Sequence, residues 1–324
     1  MGKTAIRALV FFIFLELGLI ANGRAEVINI GWTGEYWSTL PFKVALDRGF
    51  FEKEGLQVRL ITFRATQLIV NAMVQGDIDY TTVLPTVGSV AIRGLPMKIV
   101  GVVAKGTGYA IVSKPEIDSL RGLKGKTFAL NSFGSAPDYA VYTYLSKNGL
   151  DPNRDLTFLT IGGTSARFAA LVGGSVDATV VSSPFEYNAE QQGFRTLVSM
   201  REMAEYVKLP NAGIAVTQRK IDKDPDQIIR VLRAMRVATT FIQQQREASV
   251  TLLTKTLNLS RPAADKFYPV YRDQYNPELI VPDSVLEEYL AVASFRLKDK
   301  EKEKEFVKIQ ALRDWSFAEK ATSK

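Results

Sequence analysis

Neither cysteine nor histidine occurs among the 324 residues of the chain. Without cysteine there is no disulfide, thiolate nucleophile, cysteine-ligated zinc, iron–sulfur cluster or lipid-modified N-terminal cysteine. Without histidine there is no Ser-His-Asp triad, HExxH zinc site or imidazole base. Carboxylate, lysine or tyrosine chemistry, oxygen-ligated metals, phosphate loops, and binding without chemistry stay open. Long apolar runs are also scarce. Ala8–Ile20 is 13 residues broken by Glu16, short of the roughly 20 that span a bilayer.

That run follows Lys3 and Arg7 and ends near Gly23-Arg24-Ala25. A basic start, a short apolar stretch and small residues at −3 and −1 form a secretory leader, with cleavage expected after Ala25. Losing Lys3, Arg7 and Arg24 with Glu16 takes the net charge from +7 to +5. The positive charges are scattered, and the longest charged run, Lys298–Glu305, alternates in sign. Alternation marks a solvated helix face, so no nucleic-acid partner is expected.

What is present is ordinary globular composition, 46% hydrophobic and 23% charged, enough for a large core. The length suggests about two domains. Val27–Gly31, Val58–Phe63, Asp79–Leu84 and Lys98–Lys105 read as strands, separated by helices at Pro41–Gly55, with Gly55 as the stop, Thr66–Gln75 and Pro85–Arg93. A second set follows, with strands at Thr127–Asn131, Leu156–Ile161 and Asp177–Ser182. Its helices lie at Ala136–Lys147, Ser165–Val172 and Pro184–Gln192. Alternating strands and helices indicate an α/β fold with a largely parallel sheet. Thr66–Thr81 also echoes Thr164–Thr179 at an offset of 98 without a gap, which suggests two related lobes rather than a solenoid. From Pro225 the pattern becomes almost wholly helical, with Pro262, Pro269, Pro277 and Pro282 at or near helix boundaries.

Pro41-Phe42-Lys43-Val44-Ala45-Leu46-Asp47-Arg48-Gly49-Phe50-Phe51-Glu52-Lys53-Glu54-Gly55-Leu56-Gln57-Val58 resembles a stretch of the periplasmic solute-binding proteins of ABC importers. The branch is the one that binds nitrate, sulfonates, taurine and thiamine's pyrimidine precursor. Gly76-Asp77-Ile78-Asp79, Leu120–Thr127 and Gly174-Ser175-Val176-Asp177-Ala178 fit the same pattern in order. The resemblance implies a type II periplasmic binding protein: two Rossmann-like lobes joined by a two-crossover hinge, with a helical C-terminal tail. The expected first lobe is 26–108 plus 206–324, after a leader at 1–25, and the second is 109–205. The partners implied are a small-molecule solute and the permease and ATPase subunits of an importer. A periplasmic monomer with no membrane anchor, metal or cofactor is expected.

In doubly wound folds ligands bind beyond the carboxyl ends of parallel strands, where helix N-termini offer free N–H groups. Trp32, Glu35, Tyr36 and Trp37 follow the first strand as an aromatic loop with one carboxylate, and the resemblance also puts this loop in the site. Arg64 and Thr66 follow the second strand, where Arg64 suits a sulfonate, carboxylate or phosphate and Thr66 is a good N-cap. Leu84 and Thr86 follow the third. In the second lobe the expected contacts are Asn131, Ser132, Phe133, Gly134 and Ser135, a loop the resemblance strengthens, then Thr164, Ser183 and Pro184, with Arg167 a weaker candidate. No GK[ST] follows Ser135, so this is not a phosphate loop. Asp79 and Asp177 start their strands at the far end and read as structural.

Arg64 and the positive charge favour an anion; the aromatic loop and Glu35 favour a flat heterocycle. Nitrate alone needs no aromatic wall, so an organic solute is expected. Ligand sensing and carboxylate- or lysine-based catalysis are the alternatives. Related yeast and plant enzymes of similar fold make the thiamine pyrimidine by consuming an active-site histidine, a reaction this chain lacks the residues for.

Overall fold

The structure, a computed structural model, describes residues 25–34, 36–63, 66–91, 94–133, 135–296 and 309–323. The expected leader and the charged run at Lys298–Glu305 lie outside the described residues, apart from Ala25.

Two five-stranded sheets form the frame. The first contains β1 (Glu26–Trp32), β2 (Leu56–Thr62), β3 (Tyr80–Thr81), β4 (Met97–Ala104) and β10 (Ala212–Thr217), in the order β2-β1-β3-β10-β4. The second contains β5 (Tyr109–Ser113), β6 (Lys126–Leu130), β7 (Leu156–Thr160), β8 (Ala178–Ser182) and β9 (Arg195–Val198), in the order β7-β6-β8-β5-β9. β1 runs parallel to β2 and β3, and β6 to β7 and β8. β10 and β5 run antiparallel to their neighbours, each inserted at the same place in its sheet. The two sheets therefore share one topology, and each receives its reversed strand directly from a crossover. These crossovers run from Ala104 to Tyr109 and from Val198 to Ala212, the second carrying a short helix, Met200–Tyr206.

The reversed strands are the main departure from the sequence reading. Ala212–Thr217 (AGIAVT) is buried along almost its whole length. A strand buried on both faces shows no two-residue alternation, so the sequence pattern does not mark it as a strand. Pro269 lies inside the helix Arg261–Arg272 rather than at its boundary.

The helices are α1 (Leu40–Asp47), α2 (Phe50–Lys53), α3 (Thr66–Gln75), α4 (Leu84–Ala91), α5 (Ala136–Lys147), α6 (Pro152–Asp155), α7 (Thr164–Val172), α8 (Phe185–Gln191), α9 (Met200–Tyr206) and α10 (Gln218–Lys223). The C-terminal set is α11 (Pro225–Gln244), α12 (Arg246–Thr256), α13 (Arg261–Arg272), α14 (Asp283–Arg296), α15 (Ile309–Leu312) and α16 (Ser316–Thr322). In α11, Ile228, Val231, Leu232, Met235, Ala238 and Ile242 are wholly buried, so one apolar stripe joins the helix to α1 and β4. The α14 helix touches both lobes. Its Tyr289 hydroxyl donates to the Pro85 carbonyl, its ring meets Tyr139 of α5 edge-on, and Glu288 pairs with Lys147 at 2.7 Å. No described helix is long and apolar enough to cross a membrane.

Candidate functional site

The pairing registers bring the chemistry-bearing loops to one place. β1, β2 and β3 end at Trp32, Thr62 and Thr81, and β6, β7 and β8 at Leu130, Thr160 and Ser182. Antiparallel pairing sets Ala212 beside Ala104 and Tyr109 beside Ser182. Both crossovers thus leave and arrive at the carboxyl ends of the parallel strands, which is where such folds bind ligands.

The aromatic loop does not form one wall. Trp32 is buried, and its indole N–H donates to Thr62 Oγ1 at 2.9 Å, tying β1 to β2. Trp37 is also buried, stacked on Tyr271 of α13 with ring centroids 5.2 Å apart. The Tyr275 hydroxyl donates to the Trp37 carbonyl at 2.6 Å. Tyr36 alone is half exposed. Its backbone N–H donates to Thr39 Oγ1 at 2.9 Å, so the loop is pinned while the phenol stays free to meet solvent or ligand. Glu35 lies outside the described residues, as do Arg64 and Gly134.

Thr66 is the first residue of α3 rather than its N-cap, and is half-buried. Leu84 is buried, with its side chain against Gly213 of β10; Thr86 is half-buried in the first turn of α4. In the second lobe Ser135 is the N-cap of α5: its hydroxyl accepts from Asp138 N at 3.5 Å and donates to the Ser132 carbonyl at 2.6 Å. Asn131 is half-buried, Ser132 exposed, and Phe133 exposed with its edge toward Phe158. Pro184 is the N-cap residue of α8, and the Ser183 hydroxyl is buried beside that of Tyr271.

Thr164 belongs to the most unusual constellation in the molecule. Its hydroxyl lies 3.3 Å from Ser182 Oγ and accepts from Arg167 Nη2 at 3.1 Å. Arg167 is 1% exposed, the largest fully buried side chain described. Its Nε donates to the Val180 carbonyl at 3.1 Å and its Nη1 to the Gly162 carbonyl. Three of its five N–H groups are thereby used. Among the described residues no carboxylate neutralises it; its titratable neighbour is the Tyr109 phenol, which is uncharged at neutral pH. Burial lowers the guanidinium to about 10, so it stays cationic at neutral pH. Burial likewise pushes Tyr109 up to about 12, and that phenol also feels Tyr36 from the other lobe. A buried unpaired charge is expensive, and an anionic ligand placed between Tyr36, Tyr109 and Arg167 would offset that cost.

Tyr109, Thr82, Thr107 and Gln274 are not among the contacts expected from the sequence, whereas Glu186 closes the Ser182–Glu186 loop, which the sequence places at the cleft. Glu186 is 2% exposed, and burial pushes its carboxyl up to about 7; Lys266, which pairs with Glu190 at 2.6 Å, pulls the other way. Its Oε1 accepts from Met200 N at 3.4 Å, so it joins α8 to the second crossover. The hydroxyls of Thr82 and Thr107 and the Gln274 amide oxygen are buried with no hydrogen-bond partner. For Thr107 a signal existed, a threonine between Gly106 and Gly108 at a strand end. Gln274 reaches the crossover only through tertiary packing and had none. Among the described residues no group of three acidic side chains could hold a metal.

Residues 24–254 match the NMT1-like family. The chain belongs to that family. Among its relatives is YtlA of Bacillus subtilis (strain 168), to which a binding role is only provisionally ascribed; it is 23% identical over 94% of this chain and 88% of its own. Among solved structures, the periplasmic aliphatic sulphonate binding protein SsuA of Escherichia coli superposes with a TM-score of 0.70. It is 22% identical, over 89% of this chain and 97% of SsuA. The desulfurization enzyme DSZB has the same fold at a TM-score of 0.64 and 13% identity, over 91% of this chain and 98% of its own. This NMT1-like chain thus has the periplasmic binding protein fold, and that fold carries both binding and catalysis.

Proposed function

We propose that the chain is the solute-binding component of an ABC importer and captures a small organic anion, a sulfonate or carboxylate, in the cleft between its lobes. The observation that carries this reading is Arg167, buried at 1% exposure with two N–H groups unassigned and no carboxylate beside it among the described residues. A planar fork of that kind suits a two-oxygen anion. Thr164 and Ser182 sit within reach of the same anion, and Tyr36 would close on it from the first lobe. A neutral heterocycle would leave the guanidinium uncompensated, which favours the anion of the two ligand classes open at the outset.

The lobe limits read from the sequence, 26–108 with 206–324 and 109–205, belong to this proposal. They are supported by the first sheet drawing its fifth strand from beyond the second. Closure about the two crossovers would present one liganded shape to a permease. The site residues named at the outset are proposed contacts, with Trp32 and Trp37 acting from behind as supports for the loop that carries Tyr36. Export to the periplasm is proposed from the leader. Intact mass of the exported protein should correspond to a chain beginning at Glu26, and retention of residues 1–25 would contradict it. Titration of short sulfonates and carboxylates into the wild type and the Arg167→Gln variant tests the binding reading.

A further inference from the structure

The α14 helix is fastened to the first sheet at its start and reaches the second lobe at its middle. Arg313, just beyond α15, donates to both carboxylate oxygens of Asp283, at 2.9 and 2.6 Å. The next residue, Asp314, donates its N–H to the Ile99 carbonyl of β4 at 2.9 Å. The helix is thereby tied to β4 and the first sheet.

Tyr289 is 2% exposed and lies against α4. Its hydroxyl donates to the Pro85 carbonyl, and a Cβ on Gly88 would come within 2.7 Å of its ring. Glycine inside a helix is less favourable than alanine, so the approach of the ring gives that glycine a reason. On the other side the Tyr289 ring meets Tyr139 of α5 edge-on, with centroids 5.3 Å apart. One residue earlier, Glu288 pairs with Lys147 at the end of α5 at 2.7 Å, both side chains being partly exposed. The same two α5 residues also hold the second crossover. Tyr139 donates to the Lys208 carbonyl at 3.3 Å, and Lys147 to that of Tyr206 at 3.4 Å.

The tyrosine contact falls at the cleft. α4 follows β3 and α5 follows β6, so both helices begin at the carboxyl ends of parallel strands. Pro85 and Tyr139 lie in their first turns, near the proposed contacts Leu84, Thr86 and Ser135. Tyr289 thus joins the cleft-facing turn of one lobe to that of the other. This is the arrangement in which Tyr36 of the first lobe lies close enough to act on Tyr109 of the second. Because α14 is tied to β4, a rotation about the crossovers that separates α4 from α5 must break the ring contact and the ion pair. Neither is strong: an exposed ion pair or an aromatic edge contact shifts an equilibrium by roughly 2- to 10-fold.

We infer that Tyr289 and Glu288 form a releasable clasp between the lobes, which holds the first turns of α4 and α5 at the spacing that receives the ligand. Tyr289 is a positioning residue and need not touch the ligand itself. The inference rests on the proposed closure of the lobes and adds to it what sets the closed fraction of the ligand-free protein.

The chain has no cysteine, so Arg59→Cys and Thr157→Cys create two unique labelling sites. Both residues are exposed, on β2 and β7, the sheet edges farthest from the crossovers. Pulsed electron resonance between spin labels at these sites reads the lobe spacing of the full mature protein without ligand. Wild type should show the short distance of the structure in equilibrium with a longer one. Glu288→Lys and Tyr289→Leu should each lower the short-to-long ratio at least about 3-fold. Combining Lys147→Glu with Glu288→Lys should restore the ratio toward wild type. An unchanged ratio in either single variant overturns the clasp, as does a double variant no better than Glu288→Lys. So does a ratio that falls only as the protein unfolds, followed by circular dichroism.

Calorimetry with propane-1-sulfonate and butanoate keeps the clasp apart from the anion reading. A probe that binds wild type should bind the two single variants more weakly, in step with their smaller short-distance fraction. If the ratios shift as expected but neither probe binds, the clasp stands and the anion reading fails. If a probe binds all three proteins equally and the ratios do not shift, the clasp fails and the anion reading stands.

Discussion

Asp79 and Asp177 hold the same position in the two sheets, 98 residues apart. In each, Oδ2 accepts a backbone N–H from the residue 50 positions earlier, Asn29 or Thr127, at 2.9 Å. In each, Oδ1 receives a lysine from just beyond the reversed strand: Lys220 at 3.3 Å for Asp79 and Lys114 at 2.8 Å for Asp177. The correspondence extends along the strands, since Thr81 donates to the Gly31 carbonyl and Thr179 to that of Ala129. These carboxylates clamp three strands at the end of each sheet away from the cleft, the structural role read from the sequence.

The clamp predicts an acid-sensitive contribution to stability. Lys114 first, then the bonds from Thr127, holds the Asp177 carboxyl near 2, below its usual value. A depressed carboxyl stabilises the fold above the unfolded pKa and loses that effect as pH falls through the folded one, here between about 4 and 2. Asp177→Ala should cost about 1–2 kcal/mol at pH 7, allowing for the partial exposure of the pair. The difference from wild type should vanish near pH 2. Urea unfolding at the two pH values checks it, and a cost independent of pH would mean that packing, not charge, is lost.

Glu186 predicts the opposite slope. Burial raises its carboxyl to about 7, so the folded state holds a proton that the unfolded state releases. Stability should therefore fall as pH rises from about 4.5 to 7. Glu186→Gln retains an acceptor for Met200 N and should be the more stable protein at pH 8, by as much as about 3 kcal/mol. At pH 4.5 the two should unfold together. Thermal melts across this range decide the matter; an equal gain at both ends would remove ionisation as the cause.

Much of the frame was legible because it obeys local rules. The Thr66–Thr81 and Thr164–Thr179 echo carried a helix, a glycine stop, a strand and an aspartate in each lobe, and each lies where the echo placed it. The reversed strand at Ala212–Thr217 was not, because burial on both faces erases its alternation. At the site, Arg167 stood out only weakly in a sequence with 41 Lys+Arg. Its lack of an acidic neighbour among the described residues is a property of the folded environment. The aromatic loop misled in a different way: clustering along the chain says nothing of direction, and Trp37 turns toward Tyr271 while Tyr36 faces out. Gln274 was beyond reach, since it meets Gly106 only after α13 has docked.

Gly108 offers a test of how far the hinge supports the site. A methyl group there would displace the Trp37 indole from its stack on Tyr271. Gly108→Ala should destabilise the protein by about 1–3 kcal/mol and weaken binding of the best ligand found, with a change in tryptophan fluorescence. Unaltered fluorescence and melting temperature would show that the crossover yields easily.

The central claim is that Arg167 seats the ligand's anionic group. Isothermal titration of a panel of short organic sulfonates and carboxylates into wild type and Arg167→Gln tests it most directly. The account predicts saturable one-to-one binding of at least one member by wild type, weakened at least about 100-fold in the variant, with melting temperature measured alongside to establish folding. Equal affinity of the folded variant for that ligand would contradict it.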